Sequence, residues 1–151
     1  MIVSAYDISA VTVYFNGDFY YLTPLCGIVQ LFEREGLVQY LDSDATEEHL
    51  GISLLSCLEV SIAENLKKVR QKPLFQQWVA FISGKMGYRS KHQLFKNMRQ
   101  ASLILNKEQA EFRFAPMHKV KGEYYEFHKG EGNRIPVTND PLLVGKLMKE
   151  V

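Results

Sequence analysis

Two runs of β-branched and aromatic residues, Val11-Thr12-Val13-Tyr14-Phe15 and Phe19-Tyr20-Tyr21-Leu22, stand on either side of Asn16-Gly17. Asn-Gly best tolerates the positive φ of a tight type I′ turn, so this segment is predicted to be a β-hairpin. A further strand is expected at Gly36–Leu41, leading into Asp42-Ser43-Asp44-Ala45-Thr46-Glu47-Glu48. There Asp44 can cap a helix, and Glu47 and Glu48 suit its positive end. The helix should run to about Lys68, because Leu50, Leu54, Leu58, Ile62 and Leu66 keep an i, i+4 spacing that lays one stripe against a sheet.

The second half repeats the theme. Pro73 precedes an expected strand at Gln77–Ile82, with Gly84 and Gly87 as breaks, and Ser90 opens a short basic helix. Residues 101–105 and 110–114 form a second predicted hairpin, followed by strands at Glu123–His128 and Ile135–Val137. Asp140-Pro141 then starts a final helix, with proline at its favoured first position and Val144, Leu147, Met148 and Val151 at helical spacing. Each main helix carries a glycine one turn inside, Gly51 and Gly145, which should let it approach its sheet closely. The reading is an α+β fold with antiparallel sheet, two main helices and a short central basic helix, built as pseudo-repeats 1–70 and 74–151.

At 151 residues, with 46% hydrophobic and 12% aromatic residues, the chain suits a single domain over 1–151 with a real core. No stretch approaches the roughly 20 apolar residues needed to span a bilayer, and the start lacks the basic and apolar regions of a secretory signal, so a cytoplasmic protein is expected. Two cysteines, Cys26 and Cys57, lack C-x-x-C spacing and read as reduced, small apolar fillers.

A net charge of +1 conceals a segregation. Between Met1 and Glu64 ten acidic residues accompany one base, Arg34, whereas residues 65–107 carry ten bases and no acid. Such asymmetry points to charged partners, unless the two segments lie side by side in the fold and neutralise each other.

Catalytic and metal-binding patterns are sparse. His49, His92, His118 and His128 are scattered, with no H-E-x-x-H, no i, i+4 pair and no cysteine at ligand spacing. Asp42-x-Asp44-x-Thr46 starts like a calcium loop but lacks the glycine at position six and the glutamate at position twelve. No glycine-rich phosphate loop or G-x-S-x-G elbow is present, so neither cofactor nor catalytic residue is expected. The basic segment 67–99 is interleaved with Phe75, Trp78, Phe81, Tyr88 and Phe95, the mixture that stacks bases and follows phosphates. A single-stranded nucleic-acid-binding module is therefore the alternative reading, although the same rings also serve a core.

The block Gly87-Tyr88-Arg89-Ser90-Lys91-His92-Gln93-Leu94-Phe95-Lys96-Asn97-Met98 is followed by hairpin strands, Ala115-Pro116-Met117-His118-Lys119 and a helix with an internal glycine. This resembles the CdiI immunity proteins of contact-dependent growth inhibition systems, marked by G-[YF]-x-[ST]-K-x-x-L-[FY]-K-N-M. Asp44 followed by Leu50-Gly51-x-x-Leu54-Leu55 looks like the start of the same family's first helix. The likeness runs from about Tyr14 onward. It departs after Ala115-Pro116, where a Trp-Gly-like pair is usual and this chain has Gly122-Glu123-Tyr124-Tyr125. The resemblance implies a non-enzymatic, Whirly-like protein of the bacterial cytoplasm that binds the C-terminal toxin domain of a cognate CdiA protein in a 1:1 complex. Many such toxins are nucleases that cut tRNA.

A nuclease needs a basic surface to attract phosphates, so the acidic segment offers the complementary field. The expected toxin-facing residues are Asp18, Tyr20, Glu33, Glu35, Asp42 and Glu48, with exposed tyrosines as anchors. The Lys91–Met98 block more naturally supports the shared fold than chooses the partner.

Overall fold

The structure, a computed structural model, describes residues 7–27, 29–30, 39–68, 75–121, 124–127 and 132–151. Strands β1 (Ser9–Phe15) and β2 (Phe19–Cys26) form the expected hairpin, paired from Val11 with Pro24 to Phe15 with Tyr20. The turn differs from type I′. Gly17 alone adopts a positive φ, at +96°, while the Asn16 side chain accepts the Asp18 N–H at 3.0 Å. An Asx turn thus replaces the second left-handed residue.

β2 carries β3 (Val29–Gln30) and β4 (Gln39–Asp42) on its far side. β1 pairs instead with β5 (Arg99–Asn106), which pairs with β6 (Glu111–Lys121), and β6 carries β7 (Tyr124–Phe127) and β8 (Asn133–Pro136). The sheet is antiparallel throughout, and its order is symmetric about the β1–β5 pair. Residues 36–38 of the expected strand at Gly36–Leu41, and Glu123 and His128 of the one at Glu123–His128, lie outside the described residues.

Alternation in the strands builds two cores. Val11, Val13, Tyr20, Leu22, Leu103, Phe112 and Phe114 point to one face, where they meet α1 (Glu47–Lys67) and α4 (Pro141–Lys149). Leu50, Leu54 and Leu58 of α1 are buried there, each contributing about 2 kcal/mol. The stripe stops short of the expected length, since Leu66 is 74% exposed. Nearer its end α1 instead uses polar groups. Ser61 accepts the Ala10 N–H and donates to the Leu25 carbonyl, while Asn65 donates to the Ile8 carbonyl and accepts the Gly27 N–H. Two side chains thereby tie the start of β1 to the end of β2.

Thr46, not Asp44, caps α1, accepting the His49 N–H at 3.1 Å. Asp140 caps α4 as expected, with Pro141 in the first turn. Gly51 and Gly145 do not serve helix-to-sheet approach. They bring the two helices against each other, so that a Cβ on Gly51 would lie 1.7 Å from the Pro141 carbonyl oxygen.

The opposite face of β1 and β2 presents Tyr14, Phe19 and Tyr21 to a second core. The segment expected as a strand at Gln77–Ile82 is in fact helix α2 (Phe75–Met86), which supplies Trp78, Val79 and Ile82 to that core. Spacing explains the correction: Phe75, Trp78, Val79, Ile82 and Met86 fall on one helical face, whereas strand alternation would bury only half of them. Gly84 lies inside the helix, and Gly87, at φ +74°, ends it, with the Tyr88 N–H returning to the Ser83 carbonyl at 2.8 Å. That is the Schellman pattern. Ser90 then caps the short helix α3 (Lys91–Phe95), accepting the Gln93 N–H.

Candidate functional site

One end of the sheet gathers the β1–β2 turn, the end of β4, the start of β5, the far part of β6, α3 and the end of α4. Pairing sets this assembly: Asp42 stands opposite Phe19, Tyr20 opposite Phe15, and Phe15 opposite Arg99.

On the β2–β4 side the surface is acidic and aromatic. The Tyr88 hydroxyl donates to an Asp18 carboxylate oxygen and accepts from the Asn16 side-chain amide at 2.8 Å. Burial pushes the Tyr88 phenol up to about 12, and the hydrogen bond to Asp18 adds to the rise. Tyr40 stacks on Phe19 at 5.4 Å, and the Lys85 ammonium lies 4.1 Å above its ring centroid. Its phenol is raised too, first by burial and then by the negative charges of Asp42 and Asp18. Two carboxylates of the acidic segment therefore converge on two half-buried tyrosines.

On the β5–β6 side is a cavity of about 340 Å³. Val13, Phe15, Ala101 and Met148 supply apolar walls, and Arg99, Lys119 and Lys149 supply cations. Each cation donates to a main-chain oxygen: Arg99 to Val151, Lys119 to Phe95 and Lys149 to Ala45.

The structure sorts the expected contact residues. Asp18 and Asp42 are exposed and come together at this end, and Glu48 is exposed in the first turn of α1. Tyr20 is a correction: it is 9% exposed and stacks on Phe15 at 4.3 Å, because it shares strand parity with Leu22 and faces the α1 core. It is no exposed anchor, though its side chain lines the cavity, and burial raises its phenol against the lowering effect of Arg99. Glu33 and Glu35 lie outside the described residues. Tyr40 and Tyr88 were missed as aromatic partners, although each is close in sequence to a feature already singled out, Asp42 and the Gly87–Met98 block.

The basic segment does not assemble a stacking platform. Trp78 and Phe95 are buried in the second core, Phe75 and Tyr88 pack against it, and Phe81 is 51% exposed. Among the described residues the ion pair joining the acidic and basic segments is Lys67 with Glu64, three residues apart in α1. Cys26 and Cys57 are both buried and form no disulfide, and burial pushes the Cys57 thiol up to about 12, so at neutral pH it stays protonated and is a poor nucleophile. No cluster of three or more His, Cys, Asp or Glu suited to a metal ion occurs among the described residues, and no helix there is long and apolar enough to cross a membrane.

Sheet, helices and charged end together define an α+β protein whose distinctive surface is built from opposite charges on neighbouring strands. A family model described as CDI immunity protein matches residues 9–151, and the chain belongs to that family, CdiI. A protein of unknown function from Neisseria meningitidis shares the fold, with a TM-score of 0.74 and 20% identity over 99% of this chain and 96% of the other. A CdiA-CT/CdiI toxin and immunity complex from Yersinia pseudotuberculosis contains a chain similar at a TM-score of 0.73 and 16% identity, covering 94% of each. No curated protein matches.

Proposed function

We propose that this chain binds the C-terminal toxin domain of a cognate CdiA protein one-to-one in the bacterial cytoplasm. It blocks that domain by occupying it and performs no catalysis of its own. Family membership supports the class, and the similar chain in the Yersinia complex supports a toxin domain as the partner. The observation that carries the choice of surface is the convergence of Asp18 and Asp42 on Tyr88 and Tyr40.

The toxin we propose is a nuclease that cuts RNA such as tRNA. Such an enzyme presents cations to phosphate, and an acidic patch beside rigid rings meets that surface with the opposite field and with low-entropy contact area. Glu48, at the start of α1, extends the same field.

Co-expression with the toxin encoded immediately upstream tests the reading: growth is expected to be restored. The variant D42K/E48K, which removes no side-chain hydrogen bond among the described residues, is expected to slow association roughly tenfold at low salt. Unimpeded killing in the presence of abundant folded protein would refute the function.

A further inference from the structure

The cavity between β5, β6 and the end of α4 has a character opposite to the acidic surface beside it. We propose that it is a socket for a single glutamate side chain of the docked protein, an inference that rests on the toxin-binding reading above. Its volume of about 340 Å³ lies at the small end of ligand pockets and admits one side chain whole. The walls Val13, Phe15, Ala101 and Met148 would enclose a methylene stem, while Arg99, Lys119 and Lys149 would meet the charge.

Those three cations suit an anion for two reasons. Lys119 and Lys149 are paired with no side-chain carboxylate among the described residues, whereas Arg99 meets an oxygen of Val151, the last residue, so the two lysines carry the attraction. Each is also fixed by one hydrogen bond to a main-chain oxygen, which holds the charged head in place. An ammonium has three donors and a guanidinium five, so donors remain for an incoming carboxylate. The largely apolar walls favour a carboxylate on an apolar stem over an inorganic anion, whose every oxygen seeks a donor.

The position adds orientation. Tyr20 and Phe15 line the cavity, and the turn between their strands carries Asp18. A partner that is basic over Asp18 and Asp42 and acidic over the cavity can dock in only one sense, because reversal sets like charges against each other.

Two measurements test the socket, using the K119Q/K149Q variant, which keeps an N–H donor for Phe95 and Ala45 but removes both charges, and A101L, which fills the apolar wall. First, butyrate is titrated into the protein while the Ala101 and Met148 methyl signals are followed by NMR, with uncharged butyramide as control. Saturable shifts with butyrate alone, lost in K119Q/K149Q, are expected; equal responses to both probes, or none, would overturn the proposal.

Second, the co-encoded toxin domain is titrated into each variant, whose melting temperature confirms its fold. Dissociation ten- to a hundredfold faster than wild type is expected for both. An unchanged complex would overturn the socket even if butyrate binds, because the cavity would then serve a free small carboxylate. If the wild-type chain forms no complex at all, the toxin-binding reading fails, and the butyrate shifts still decide the chemistry of the cavity.

Discussion

Gly51 and Gly145 meet where α1 crosses α4: a Cβ on Gly145 would fall 1.6 Å from the Glu47 carbonyl oxygen and 2.9 Å from the Gly51 nitrogen. The obstructing atoms are backbone, which cannot swing aside as a side chain can. A methyl group at either position therefore forces the helices apart and opens the core beneath Leu50 and Val144. G51A and G145A are each expected to destabilise the protein by about 3 kcal/mol, read as a fall in the urea midpoint. Gly84 is the control. A Cβ there meets nothing within 4 Å, so G84A is expected to stabilise by about 0.5–1 kcal/mol through lower chain entropy in the helix interior.

Asn65 makes a second test of the same face. It is buried, and its amide serves both the Ile8 carbonyl and the Gly27 N–H. Replacement by leucine of similar size leaves both main-chain groups without that partner. A loss of about 2–3 kcal/mol is expected, with faster amide exchange at Gly27. Unchanged exchange there would show that α1 does not hold the strand ends.

Tyr88 gives a pH signature. Its phenol is pushed up to about 12 in the folded protein from an ordinary value of 10.0, so the folded state holds this proton more tightly than the unfolded chain. The contribution to stability is thus complete below pH 10 and is lost as pH rises toward about 12. In an absorbance titration at alkaline pH, Y88F is expected to lack one late-ionising tyrosine. D18N removes the neighbouring charge and should move that step to lower pH.

The thiols provide a measure of core access. Cys57 is buried and raised to about 12, with its Sγ against the Leu22 carbonyl of β2, and Cys26 of β2 is buried as well. A thiol reagent at neutral pH is expected to label the folded protein only as fast as it opens. Prompt labelling of Cys57 would contradict the packing of α1 against β2.

Much of this fold is legible from local chemistry. Asn16-Gly17 announces the first hairpin, Asp140-Pro141 marks the last helix, and the Leu50–Leu58 row finds its sheet. The misreading of Gln77–Ile82 came from composition: Trp78, Val79, Phe81 and Ile82 look like a strand when counted and like a helix when spaced. Thr46 displaced Asp44 as cap because α1 begins at Glu47, which places Glu47 and Glu48 in its first turn as expected and leaves Asp44 two residues short of the cap position. The two glycines were visible, but their partner was not, since only the crossing of distant helices brings Glu47 to Gly145.

The site was half legible. Charge segregation pointed to Asp18 and Asp42, while strand parity, already present in Tyr20 and Leu22, could have withdrawn Tyr20 from the surface. The cationic cavity depends on Arg99, Lys119 and Lys149, separated by up to 50 residues of chain, and no sequence pattern marks their convergence.

The central claim is stoichiometric neutralisation. The purified toxin domain encoded upstream should be titrated with this chain while its residual activity is followed. The account predicts a linear fall that breaks at one equivalent; activity undiminished by a severalfold excess of folded protein would contradict it.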